Sequence, residues 1–330
     1  MPTSNAYRPL DSSARTTITR AHAWRPFPRE VADILCIDEP AAAMRPRMHG
    51  RLSVTLIASP TIIRVESGRS IVADSGSLLL VPAWQLYALR DAHARDEAGN
   101  VAVTLLAGER ELDGLRVADR PAIVIDAELG AQAAALVAQL RQPVRSIECA
   151  RTLHSLIEGV VSRGTPVAAA RSPQTTAPLA PVRAYLHAHL GDQVTTAMLA
   201  RIGGLTEWHL IRAFHREFGL PPHAYHLRLR LAAASELLVA GLSVSTAAYE
   251  CGFADQSHLS RKFKEVHGLT PAAWATAVGD RRSGEQQFRS IPTAVARGML
   301  GRHDAPPVTR RRGPLAEIPT HAARAAGSIQ

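Results

Sequence analysis

The phrase His209-Leu210-Ile211-Arg212-Ala213-Phe214 returns 49 positions later as His258-Leu259-Ser260-Arg261-Lys262-Phe263. The same offset relates Gly203 to Gly252, Gly219 to Gly268 and Leu220 to Leu269. Leu210/Phe214 and Leu259/Phe263 stand at i and i+4, so each pair lies on one helical face and packs inward. Arg212 and Arg261 fall off that face. A chain that writes this unit twice builds two copies of one small helical motif, and their basic outer faces make the pair a candidate double reader of DNA.

With 330 residues the chain is long enough for two domains, each with its own core. Its formal net charge is +9. The repeat module holds acids such as Glu207, Glu217 and Glu236, whereas much of the basic charge lies in the N-terminal half and in a tail carrying Arg281-Arg282 and Arg310-Arg311-Arg312. Net charge alone therefore does not decide for a polyanionic partner; the local placement of arginine does. Cys36, Cys149 and Cys251 are widely spaced and form no CxxC pair, which argues against a structural zinc or a disulfide framework and for reduced thiols. The polar N-terminus lacks the apolar run of a secretory signal, and no stretch approaches the ~20 apolar residues that span a bilayer. The expectation is a soluble cytoplasmic protein with no membrane partner.

Residues 1–30 read as disordered. From 31 to about 125 short β-like runs (Ser53–Ala58, Thr61–Glu66, Arg69–Ala73, Ser77–Pro82, Val101–Ala107 and Ala122–Ile125) alternate with turn signals such as Asp74-Ser75-Gly76-Ser77. Such spacing predicts an antiparallel sandwich or barrel. From 127 to 163 the period becomes helical, with Leu129, Leu136, Val137 and Leu140 on one helix and Leu153, Leu156, Ile157 and Val160 on a second. The latter stripe is expected to form the dimer face, with packing on its own barrel as the alternative. Residues 164–181, rich in Pro, Ala and Thr, read as a linker that leaves the halves separable, and 279–330 as a disordered basic tail. The fold class is α+β in two domains: 31–163 and 182–278.

Within 182–278 the pattern predicts seven helices. Thr195 or Thr196, Thr206, Ser243 and Asp255 stand where N-caps belong, and Gly219, Gly241, Gly252 and Gly268 where helices stop. Helices two and three form one helix-turn-helix and helices five and six another. The second helix of each pair is the natural major-groove element. The outer face of the first offers Trp208, Ile211, Arg212 and His215; that of the second offers Gln256, Ser257, Ser260, Arg261 and Lys264. Arginine grips guanine and glutamine grips adenine through paired hydrogen bonds. His209 and His258 are expected to cap or pack. The joining helix, about 19 residues and ~28 Å long, approaches the ~34 Å between major-groove segments on one side of DNA.

These residues carry a family resemblance. Residues 182–278 closely resemble the DNA-binding domain of the AraC/XylS family of bacterial transcription regulators. The strongest match runs from Cys251-Gly252-Phe253 through Phe263-Lys264 and on to Gly268-Leu269-Thr270-Pro271, with Gly219-Leu220-Pro221-Pro222 and Tyr225 through Leu238 adding to it. The resemblance implies two helix-turn-helix units on adjacent major-groove segments of double-stranded promoter DNA, with RNA polymerase as a further partner. Trp208, Ile211 and Arg212, and Gln256, Ser257, Ser260 and Arg261, occupy the family's DNA-contacting positions. Ile211 is apolar where a polar base reader is common, which points to thymine methyl groups.

The N-terminal half resembles the effector domain of the same family, a small cupin-like barrel followed by dimerisation helices. The matching stretches are Met48-His49 through Gly68 and Asp74 through Pro82. Metal-dependent cupins cluster histidines with a carboxylate. Here His49 stands alone and Ala83-Trp84-Gln85-Leu86-Tyr87 supplies no partner; His93, the other histidine nearby, reads as a loop residue. No metal, cofactor or catalytic activity is expected. His49, Trp84 and Tyr87 are candidates to line an effector pocket, with Trp84 equally suited to the core, and Arg45, Arg47 and Arg51 suit either an anion or solvent. The sequence thus reads as an effector-controlled, homodimeric transcription regulator. The alternatives are a constitutive DNA binder whose barrel only dimerises, and a cupin enzyme fused to a DNA-binding module.

Overall fold

The computed structural model of the chain describes residues 21–40, 45–66, 70–92, 100–117, 119–141, 147–167 and 177–278. Residues 1–20, His93 and the 279–330 tail lie outside the described residues. Among those described, strands fill the N-terminal half and helices the C-terminal half, as the change of hydrophobic period predicts.

The strands are β1 (His22–Trp24), β2 (Ile34–Pro40), β3 (Leu52–Ile57), β4 (Thr61–Val65), β5 (Ser70–Ala73), β6 (Leu78–Val81), β7 (Tyr87–Asp91), β8 (Asn100–Ala107), β9 (Ala122–Val124) and β10 (Thr165–Pro166). One antiparallel sheet has the order β1-β2-β8-β3-β6-β9-β10 and a second the order β5-β4-β7. The alternation in β3 explains why both faces of the larger sheet are covered. Leu52, Val54 and Leu56 join Leu78, Leu80 and Leu105 beneath α1 (Ala127–Leu140) and α2 (Ile147–Arg163). On the opposite face Thr55 and Thr104 share a 2.9 Å hydrogen bond. There Ile57, Leu79 and Val81 meet Ile63, Val65, Tyr87 and Leu89 of the smaller sheet. The strands thus make two facing sheets, with no closed barrel among the described residues.

Three expectations change. Residues 21–30 are ordered: Trp24 donates its Nε1–H to the Leu140 carbonyl at 2.8 Å and Phe27 is buried. Two aromatic anchors fix a stretch too short for a periodic signal. The proposed linker begins with β10, paired to β9, and its residues 168–176 lie outside the described residues. Leu153, Leu156, Ile157 and Val160 are buried against their own sheet. The stripe serves its own domain because the sheet beneath presents a larger apolar face than α1 alone covers, so it is not a dimer face.

The helical half comprises α3 (Ala180–Ala188), α4 (Thr196–Gly203), α5 (Glu207–Phe218), α6 (Pro222–Val239), α7 (Val244–Glu250), α8 (Gln256–His267) and α9 (Pro271–Val278). It does not hang free. Ala23, Leu35, Ile37 and Leu106 share one core with Leu231, Leu238, Phe263 and Trp274. Met48, Trp84 and Leu86 share another with Leu210, Phe214 and Tyr225. Across the same face Arg25 donates to the Val278 carbonyl at 2.9 Å, Arg45 to the Glu265 carbonyl at 2.6 Å, and Arg228 to the Pro46 carbonyl at 2.8 Å. The two halves therefore pack against each other through shared cores.

Candidate nucleic-acid interface

Each helix-turn-helix is set by local chemistry. The Thr195 hydroxyl accepts from the Met198 N–H, Thr206 from His209, Ser243 from Thr246, and the Asp255 carboxylate from His258. These four side chains fix the N-termini of α4, α5, α7 and α8, each satisfying a backbone donor left unpaired by the first turn. The turn in the first unit passes through Gly204 at φ 62° and in the second through Gly252 at φ 70°, left-handed conformations that cost glycine nothing. His209 Nδ1 bonds the Thr206 hydroxyl at 2.8 Å and His258 packs edge-on against Phe253, the capping and packing roles expected of them.

Burial then sorts the two recognition-helix faces. In α5, Leu210, Phe214 and Phe218 are inside, while Trp208, Ile211, Arg212 and His215 are exposed. In α8, Leu259, Phe263 and Val266 are inside; Gln256, Ser257, Arg261 and Lys264 are exposed and Ser260 is half-buried. The Arg212 guanidinium lies over the Trp208 ring, 4.4 Å from its centroid. That stacking pre-orders two long side chains on an otherwise solvated face. Tyr249, 82% exposed at the end of α7, is an aromatic on the outer surface that helical spacing does not single out.

His49 and Tyr87 come together, Nε2 and Oη sharing a 3.0 Å hydrogen bond. Around them lie Glu39, Arg47, Thr55 and Thr104: Thr104 donates to Glu39 at 3.1 Å and Arg47 pairs with Glu39. The cluster is buried against the helices, where the His267 ring of α8 lies 6.1 Å from that of His49. Burial, with the Arg47 charge adding to it, pushes the pKa of His49 down to about 3, and burial pushes that of His267 well below the ordinary histidine value. Trp84 turns away, into the core shared with Leu186 and Tyr225, and is held at φ 63°. The three arginines placed near a barrel mouth face protein groups: Arg45 the end of α8, Arg47 Glu39, and Arg51 both Asp33 and Glu236 at 2.9 Å. Sequence reading missed these partners because Asp33, Glu39 and Glu236 sit in unrelated elements. No group of three or more His, Cys, Asp or Glu side chains is placed to hold a metal ion among the described residues.

Residues 199–277 match a family model described as a helix-turn-helix domain. Over 75 residues the chain is 35% identical to the uncharacterized HTH-type transcriptional regulator YbfI of Bacillus subtilis (strain 168), a match covering 23% of this chain and 27% of that one. Over 91 residues it is 30% identical to the HTH-type transcriptional activator AarP of Providencia stuartii, covering 27% of this chain and 67% of that one. The chain spans only 37% and 32% of the length of two further curated regulators. Among solved structures, ToxT of Vibrio cholerae O395 is similar with a TM-score of 0.43 and 14% identity, over 78% of this chain and 96% of that one.

Proposed function

The chain belongs to the AraC family of transcription regulators, and we propose that it reads promoter DNA with α5 and α8 in successive major-groove segments. One observation carries this reading. Both helices bury the repeated Leu and Phe and turn an Arg-bearing polar face outward. The 18-residue α6 that joins the two units is ~27 Å long at 1.5 Å per residue. On this reading Arg212 and Arg261 are the principal base readers, Gln256, Ser257 and Ser260 read or position, Lys264 and His215 meet phosphate, and Trp208 and Ile211 meet apolar base edges.

The finer proposals concern control. A small-molecule effector acting at the His49–Tyr87–Glu39–Arg47 cluster has a short route to DNA, because the His49 ring lies beside that of His267 on the recognition helix α8, 6.1 Å between centroids. A homodimer, contact with RNA polymerase and a cytoplasmic location complete the proposal, with no catalytic role. The dimer face must lie elsewhere than the buried stripe of α2. Selection of duplexes from a random-sequence library with the full chain tests the reading. It should enrich one motif made of two blocks. Indifference to sequence at physiological salt contradicts it.

A further inference from the structure

Arg230 stands at the middle of α6, on the side facing both helix-turn-helix units. Its Nε–H donates to the Leu190 carbonyl at 2.6 Å, Nη2–H to the Asp192 carbonyl at 2.7 Å and Nη1–H to the Gly252 carbonyl at 3.0 Å. Leu190 and Asp192 belong to the loop that enters α4, the first helix of the first unit. Gly252 is the turn between α7 and α8 in the second. One guanidinium therefore ties the entry of one unit to the turn of the other.

The surrounding geometry leaves no slack. A Cβ built on Gly252 meets the Gly191 carbonyl oxygen at 2.5 Å, so the two backbones touch at this point. His226, one helical turn before Arg230, bonds the neighbouring His189 carbonyl through Nε2 at 3.1 Å. The planar fork of arginine suits three carbonyls held in different directions, whereas a lysine ammonium on a flexible stem fixes no such plane. Arg230 is only half-buried and has none of its donors directed at DNA-facing α5 or α8.

We propose that Arg230 is a positioning residue that sets the distance and orientation between the two recognition helices, so that both enter one DNA site together. This rests on the reading of α5 and α8 as DNA readers. Linking two weak sites raises affinity only when the geometry lets both engage at once. Loosening the joint removes that gain and leaves each unit its own affinity.

The test uses the full chain and the two-block duplex selected by the wild type. Two further duplexes have one block scrambled, and another has two extra base pairs between the blocks. Arg230→Met should lower affinity for the intact site by about tenfold or more while leaving each single block within about twofold, because only the avidity is lost. It should also flatten the penalty that the wild type suffers from the wider spacing. Arg230→Lys should fall between the two. Equal loss on intact and single-block duplexes, or no loss on any, overturns the proposal. Failure of the wild type to select a two-block site overturns the DNA reading itself, and this proposal with it.

Discussion

Arg51 donates its Nε–H to the Glu236 carboxylate at 2.9 Å, across 185 residues of sequence. The guanidinium sits just before β3 and the carboxylate on α6, the helix that carries both DNA-reading units. Both side chains are buried, and Asp33 completes a triad at 2.9 Å from the same arginine. Beside them a Cβ on Gly50 meets Glu236 Cγ at 2.7 Å. The sandwich and the helical module are thereby locked at the helix best placed to move both recognition helices.

Removing Glu236 leaves the buried Arg51 guanidinium with Asp33 as its remaining carboxylate partner in the triad. Glu236→Ala is expected to cost about 3 kcal/mol of stability, while Arg51→Met combined with Glu236→Leu recovers much of it. Denaturant titration of the single and double variants measures this. A single-variant loss under about 0.5 kcal/mol places the pair among exposed, weakly coupled ions.

The shared cores predict how the intact chain unfolds. Leu35, Ile37 and Leu106 pack with Leu238 and Phe263, so the halves should unfold together in one transition reported alike by fluorescence and circular dichroism. Two resolved transitions contradict an interface of this kind. The same packing predicts that a fragment beginning near Pro178 is less stable than the module within the full chain.

Acid should weaken the fold. His49 titrates at about 3 and His226 at about 4 in the folded chain, both chiefly through burial, and burial lowers His267 as well. An unfolded histidine takes its proton near pH 6.5. Below that value the unfolded state binds more protons, so stability is intact above pH 6.5 and falls as pH drops toward 4. Each histidine contributes a slope of about 1.4 kcal/mol per pH unit within that window. Burial raises Glu66 and Glu236, which opposes this trend, so the histidine part is read by comparing the wild type with His49→Asn and His267→Asn. Identical pH profiles for all three chains contradict it.

The base readers make a sharper prediction. Arg212→Ala and Arg261→Ala should each cost ~1–3 kcal/mol and relax preference at separate base pairs. Trp208→Ala should resemble a milder Arg212→Ala, because the indole holds that guanidinium in place. Uniform weakening on every sequence, read by competition binding, shows phosphate contact alone.

The helical half was nearly all legible in the sequence because its signals are local. The four N-caps, the glycine stops and the i, i+4 Leu/Phe pairs each act within a few residues. What escaped reading depends on distant partners. β1 is held by Trp24 reaching Leu140, and the stripe of α2 reveals its partner only once the sheet is assembled. Arg230 looks like any arginine on a helix until its three carbonyls are seen. Arg45, Arg47 and Arg51 read as a charged rim, yet each is taken up by a group from another element.

Base-resolution footprinting of the full chain on its selected duplex tests the central claim most directly. The account predicts two protected major-groove segments about 10 base pairs apart on one side of the helix. Arg212→Ala should erase protection in one and Arg261→Ala in the other. A single protected segment, or loss of both segments together with either substitution, contradicts a chain that reads DNA with two separate helices.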